Sequence, residues 1–147
     1  MNIQERLLEA MKVAMKAKDS LRLSTIRMAR TALKNAEIEA RHELDEAAVI
    51  KILSTLVKQR REAADAYRET RPELAEKEEL ELAVLQEFLP AQLSEAELET
   101  LVAKAIAESC AGSMKDMGAV MKLVTPQTTG RADGKLVSDL VRKQLAG

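Results

Sequence analysis

Prolines occur only at positions 72, 90 and 126, and all five glycines lie at or beyond residue 112. The chain before Pro72 therefore contains no residue that breaks a helix by its own backbone. Long helices with very short connections are expected over the first 90 or so residues, and shorter pieces after them. Composition agrees. Apolar residues make up 46% of the chain and charged ones 32%, yet aromatics are only 1%, the two rings being Tyr67 and Phe88. A core of Leu, Ala, Val, Ile and Met with so many charges predicts an all-α protein. Nearly ringless, such a chain is poorly suited to gripping single strands by base stacking.

Periodicity places the elements. Ile3, Leu7, Ala10, Met11 and Ala14 mark the core face of a first helix. Lys18-Asp19 reads as a joint, with Asp19 or Ser20 capping a second helix from about Ser20 to His42. Its apolar side is Leu21, Met28, Ala29, Ala32, Leu33 and Ala36, and a narrow basic stripe of Arg27, Arg30, Lys34 and Arg41 lies beside it. Asp45 can cap a third helix with Val49, Ile52, Leu53, Leu56, Ala63 and Tyr67 on its seam. Pro72 suits the first turn of a fourth, which carries Leu74, Leu82, Leu85 and Phe88 and ends at Leu89-Pro90.

A second unit begins near residue 91. Ser94 and Glu97 form a capping box before Leu98, Leu101, Val102, Ala105 and Ile106. Gly112 is a stop for that helix. Ser113 and Asp116 repeat the cap before Met117, Val120, Met121 and Val124, which Pro126 is expected to halt. After Gly130 and Asp133 a last helix carries Leu136, Val137, Leu140, Val141 and Leu145. The expected architecture is an antiparallel long-helix hairpin domain over residues 1–90 and a three-helix domain over 91–147.

The net charge of −1 hides segregation: residues 1–36 carry eight Lys/Arg against three Asp/Glu, and residues 72–100 one against nine. Separate basic and acidic faces are thus available. No apolar run approaches the ~20 residues that span a bilayer, so no membrane partner is expected. The N-terminus lacks the layout of an export signal, and the one cysteine, Cys110, fits a reducing compartment. Cytoplasm is the expectation.

Catalysis finds little support. His42, the lone histidine, sits near a helix end between Arg41 and Glu43, and Cys110 has no histidine beside it in sequence. No Gly-rich phosphate loop, metal-ligand cluster or nucleophile motif is present, so no catalytic residue, metal or cofactor is expected. Glu78 and Glu81 lie three apart on the fourth helix and can face Arg60 on the third. Two buried glutamates could be an acid–base pair; an arginine–carboxylate lock that sets helix register is the simpler reading.

Binding is the better prospect. Arg27, Arg30 and Lys34 can track phosphates or pair with the acidic fourth helix. In the last third Lys115, Lys122, Arg131 and Lys135 accompany Gly118, Gly130 and Gly134. Glycine lets another backbone approach, and a neighbouring lysine can meet a phosphate oxygen; alternatively, the glycines serve only close packing and a turn. Met114, Met117 and Met121 recur at helical spacing, either as core or as an adaptable apolar groove for a protein partner.

Several stretches, in order along the chain, resemble the GatB/YqeY family: Leu23-Ser24-Thr25-Ile26-Arg27-Met28, Lys58-Gln59-Arg60-Arg61-Glu62-Ala63, Lys77-Glu78-Glu79-Leu80-Glu81-Leu82, Leu89-Pro90-Ala91-Gln92-Leu93-Ser94, Met117-Gly118-Ala119-Val120-Met121 and Gly130-Arg131-Ala132-Asp133-Gly134-Lys135. The length fits the stand-alone YqeY type. The resemblance implies a non-catalytic accessory protein that binds tRNA, or amidotransferase subunits, through its C-terminal module. It implies phosphate contacts at Lys122, Arg131 and Lys135 and close approach at Gly118, Gly130 and Gly134; the stripe of Arg27, Arg30 and Lys34, read from helical spacing, is a further candidate nucleic-acid contact. The family is filed under carbon–nitrogen ligase activity with glutamine as amido donor, for which this chain offers no reacting residue. Thr125-Pro126-Gln127-Thr128-Thr129 stands where many relatives carry a lysine-rich loop.

Overall fold

The computed structural model describes residues 1–146, and the described residues contain helices and no strand. The chain divides into two compact units, Met1–Pro90 and Ala91–Gly147.

The first unit holds α1 (Ile3–Ala17), α2 (Ser20–Ala40), α3 (Glu46–Tyr67) and α4 (Pro72–Gln86). Short polar side chains start three of them. Asn2, Asp19 and Asp45 each accept a hydrogen bond from the backbone N–H three residues on, at 2.8, 3.2 and 2.8 Å, worth about 1 kcal/mol apiece. Pro72 opens α4 at the position where its missing N–H costs nothing. α3 packs most extensively on α4, α1 packs on α2, and α2 also meets α4. The core is aliphatic, with Leu7, Ile26, Leu33, Leu53 and Leu85 fully enclosed, each stabilising by about 1.5–3 kcal/mol.

Two registers differ from the sequence pattern. Val49 and Leu53 are buried on α3 as expected, and Val57 and Ala64 join them as buried residues while Leu56 and Ala63 are only half-buried; Tyr67 ends that helix exposed. A 22-residue helix drifts against any fixed heptad, so the buried line moves one position over along its length. α4 ends at Gln86, and Phe88 and Leu89 then turn into the core on a looser backbone. Phe88 is held between two cations, with the Arg6 and Arg22 guanidinium carbons 5.5 and 6.0 Å from its ring centre.

The second unit holds α5 (Glu95–Ser109), a 3₁₀ turn (Met114–Asp116), α6 (Met117–Thr128) and α7 (Gly134–Ala146). Ser94 caps α5 by accepting from Glu97 N at 3.1 Å. The helix stops at Cys110, which takes the left-handed conformation at φ 56° and donates its N–H to Ala107 and Ile106. Gly112 is therefore not the stop; a side-chain-bearing residue two positions earlier fills that role. Asp116 closes the turn from the other side, accepting from Gly112 N at 3.0 Å. Pro126 lies inside α6 instead of ending it. Near the C-terminal end of a helix, proline removes a single ladder bond, and Thr129 N still closes on Thr125 O at 3.0 Å. Leu98, Val102, Val120, Val124 and Val141 make the core.

Candidate functional site

In the second unit the residues expected to meet phosphates separate into two kinds. Lys122 on α6 and Lys135 on α7 are exposed and enter no ion pair among the described residues. Gly118 and Gly134 have open space where a side chain would project, so they do not serve close helix packing. They leave bare backbone at the starts of α6 and α7.

Arg131 and Gly130 are engaged elsewhere. Arg131 Nε donates to Ala91 O at 3.1 Å, and its carbonyl accepts from Leu93 N at 2.8 Å. Gly130 is buried at φ 78°, and its carbonyl accepts from Gln92 Nε2 at 2.8 Å. The strip 91–93 is thereby sewn to the turn between α6 and α7. The left-handed backbone at Gly130 explains a glycine there, because a Cβ would collide with its own carbonyl. Sequence spacing did not reveal this role, since the partners lie about 40 positions upstream. The local hint was Gln92, a side chain with both donor and acceptor just past Pro90.

Residues 125–128 belong to α6. Thr128 is buried and returns its hydroxyl to Val124 O at 3.1 Å. Of the methionines at helical spacing, Met117 and Met121 pack against the core while Met114 is exposed.

In the first unit Arg27, Arg30 and Lys34 line an open groove of about 840 Å³ between α1 and α2. Arg30 Nη1 lies 3.1 Å from Met11 Sδ, and Gln4 Nε2 donates to Glu37 Oε1 at 3.0 Å. These two bridges pair position 11 with 30 and position 4 with 37, so α1 and α2 run antiparallel along the groove. Arg27 and Lys34 are exposed and unpaired among the described residues.

The Arg60 site is built as a lock. Arg60 Nε stands 3.0 Å from Glu81 and 3.5 Å from Glu78, all three side chains being less than a quarter exposed. A guanidinium nitrogen also contacts Met28 Sδ on α2. Neither Arg60 Nε nor Glu78 Oε2 forms a well-aligned hydrogen bond, so the attachment is mainly coulombic. At the far end of the same helix pair, Arg68 bridges Glu79 at 2.8 Å and Asp65 at 2.7 Å. The Glu79 hydrogen bond, followed by that of Asp65, raises the pKa of its guanidinium above the ordinary arginine value. His42 is exposed with Nδ1 2.7 Å from Glu43 O, and Cys110 is an exposed free thiol. No set of three or more potential metal ligands gathers among the described residues, and no described helix is long and apolar enough to cross a membrane.

Comparison with known proteins gives these positions a context. The family model described as "Yqey-like protein" matches residues 4–145. Among similar proteins is "Altered inheritance of mitochondria protein 41, mitochondrial" of Eremothecium gossypii, 41% identical over 101 residues, covering 67% of this chain and 55% of the relative. Its namesake in Lachancea thermotolerans is 38% identical over 103 residues, covering 67% and 54%. That of Vanderwaltozyma polyspora is 39% identical over 98 residues, covering 64% and 53%. The chain spans about half the length of these curated relatives. Their names overturn the cytoplasmic expectation, because they place the relatives in mitochondria. A lone cysteine cannot form an internal disulfide in any compartment, so composition carries no address. With all but a few terminal residues inside the matched region, this chain belongs to the YqeY-like protein family.

Proposed function

We propose that the protein is a non-catalytic RNA-binding accessory factor whose ligand is tRNA, acting alone or beside the tRNA-amidation machinery. In this reading residues 1–90 form a body built on helical hairpins, and residues 91–147 a three-helix tail that carries the RNA contacts. The observation that carries it is the state of Lys122 and Lys135, exposed and without an anionic partner among the described residues. Each accompanies a glycine, Gly118 or Gly134, whose missing side chain leaves room for a backbone. Exposed unpaired lysines beside bare backbone suit structured RNA, which is read through its shape, phosphates and 2′-hydroxyls. Arg131 and Gly130 hold the turn between the two lysine-bearing helices and act as positioning residues. The relatives' names support a mitochondrial setting.

A second reading is favoured by one observation. Met114, Leu123 and Leu136 are exposed apolar side chains of the same tail, which suits an adaptor that meets protein. Salt separates the two. Binding to total tRNA in preference to duplex DNA, weakening steeply from low to moderate salt and lost in Lys122→Glu/Lys135→Glu with helicity intact, supports the RNA reading. Absence of tRNA binding at low salt, or binding indifferent to the double substitution, overturns it.

A further inference from the structure

The groove between α1 and α2 has a composition that a phosphate track does not need. Leu7 and Leu33, both buried, form its floor. Leu8, Met11 and Leu44 are half-buried along its walls, and Ile38 stands at the mouth 66% exposed. An isoleucine that open to water, beside an apolar trough, is surface left for something to cover.

Charge is distributed along the groove, not around it. The antiparallel pairing puts Arg27 and Arg30 at the Met11 end, Lys34 in the middle, and Glu5, Glu37 and Glu43 at the other end. A nucleic-acid backbone would meet repulsion from those carboxylates over part of its path and would gain nothing from Ile38. A small ligand is normally buried over most of its surface, whereas this groove is open along its side. An amphipathic helix satisfies both patterns at once, laying apolar residues into the trough and acidic ones over the cations. From Arg27 to Ile38 the wall of α2 spans about 17 Å at 1.5 Å per residue, or roughly three turns.

We propose that this groove docks an amphipathic α-helix of a partner protein, whose apolar stripe covers Leu8, Met11 and Ile38 and whose acidic end lies over Arg27 and Arg30. The groove belongs to the first unit and the tail lysines to the second, and the proposal does not depend on their role. Unpaired Arg27 and Lys34 give the approach its sign and speed, and the apolar floor holds the bound helix.

The test uses isotope-labelled full-length protein and synthetic helical peptides about four turns long. One carries a leucine stripe with glutamates at one end, a second replaces the glutamates by lysines, and a third scrambles the first so that no stripe remains. The glutamate peptide is expected to shift the amides of Thr31, Asn35 and Ile38 and to bind at least about tenfold more tightly than the lysine peptide. Arg27→Glu/Lys34→Glu and Ile38→Asp should each weaken it by at least about tenfold, while Lys122→Glu/Lys135→Glu leaves it unchanged. All the groove substitutions lie on exposed side chains, and circular dichroism verifies that helicity survives. Equal binding of the three peptides, or indifference to the groove substitutions, overturns the proposal. So does total tRNA shifting the same amides and losing affinity through Arg27→Glu/Lys34→Glu, which would make the groove an RNA surface. Concentration-dependent self-association that occupies the groove, read by sedimentation equilibrium, would give it to a second copy and overturn the proposal too.

Discussion

Arg60 on α3 reaches Glu81 on α4 at 3.0 Å, with the two side chains 18% and 15% exposed. Glu78 shares the same guanidinium, so one cation bridges two carboxylates on a single face of α4. Removing the cation leaves like charges facing each other in a half-dry seam. Breaking a fully buried pair costs about 3–5 kcal/mol, and the residual exposure here reduces that to about 2 kcal/mol. Arg60→Ala should therefore lower the unfolding free energy by that amount, read as a lower urea midpoint at unchanged slope. Adding Glu81→Gln to Arg60→Ala should recover part of the loss by relieving the repulsion, and a double-mutant cycle measures the coupling. Strict additivity would mean that the three groups do not act together.

Gly130 carries the second expectation. At φ 78° an alanine would pay about 1–2 kcal/mol, and the displaced carbonyl would also release Gln92. Gly130→Ala should lower the thermal midpoint of the tail, and Arg131→Ala, which frees Ala91 O, should add to the effect less than independently because both act on one stitched strip. If Arg131→Ala weakened tRNA binding with no change in stability, the residue would be a phosphate contact and not a fastening.

Cys110 works in the opposite direction. Its left-handed backbone at the end of α5 is a conformation glycine reaches without strain, and the gain outweighs the extra freedom glycine has when unfolded. Cys110→Gly should stabilise the tail by about 0.5–1 kcal/mol, visible as a higher melting temperature under reducing conditions. Arg41, at φ 62° after α2, should respond in the same direction in the first unit.

For the tail lysines the informative number is a slope. Each phosphate contact contributes about 0.7–0.9 to the log–log dependence of affinity on salt. Lys122→Glu/Lys135→Glu should flatten that dependence by roughly 1.5. A parallel shift to weaker binding at unchanged slope would point to a loss of fold instead of contacts.

Much of the helical scaffold was legible because its signals are local. Asn2 aside, the caps at Asp19, Asp45 and Ser94 and the proline at the head of α4 are choices of one residue within a four-residue window. The Arg60 lock was legible too, because Glu78 and Glu81 at i and i+3 must share a face. What escaped is non-local or graded. Residue type marks Gly112 and Pro126 as stops, while the chain stops α5 at Cys110 and carries α6 past Pro126. In both cases packing outweighs a local cost of about 1–3 kcal/mol. The basic stripe of α2 was visible from spacing, but the α1 residues that turn it into one wall of a groove come from a different helix. The fastening of Gln92 and Arg131 joins segments about 40 residues apart, a separation at which no periodic pattern connects them.

That fastening has a practical consequence for the stretch just past Pro90. By composition it is a joint, with Ala91 and Gln92 exposed and no helix until Glu95. Yet Leu93 donates its amide to Arg131 O at 2.8 Å, and Ala91 O is capped by the Arg131 side chain. A protease needs several residues of free, extended backbone, and here that backbone is already occupied. Residues 91–93 should therefore resist limited proteolysis, and the Leu93 amide should exchange its hydrogen slowly, as part of the folded second unit.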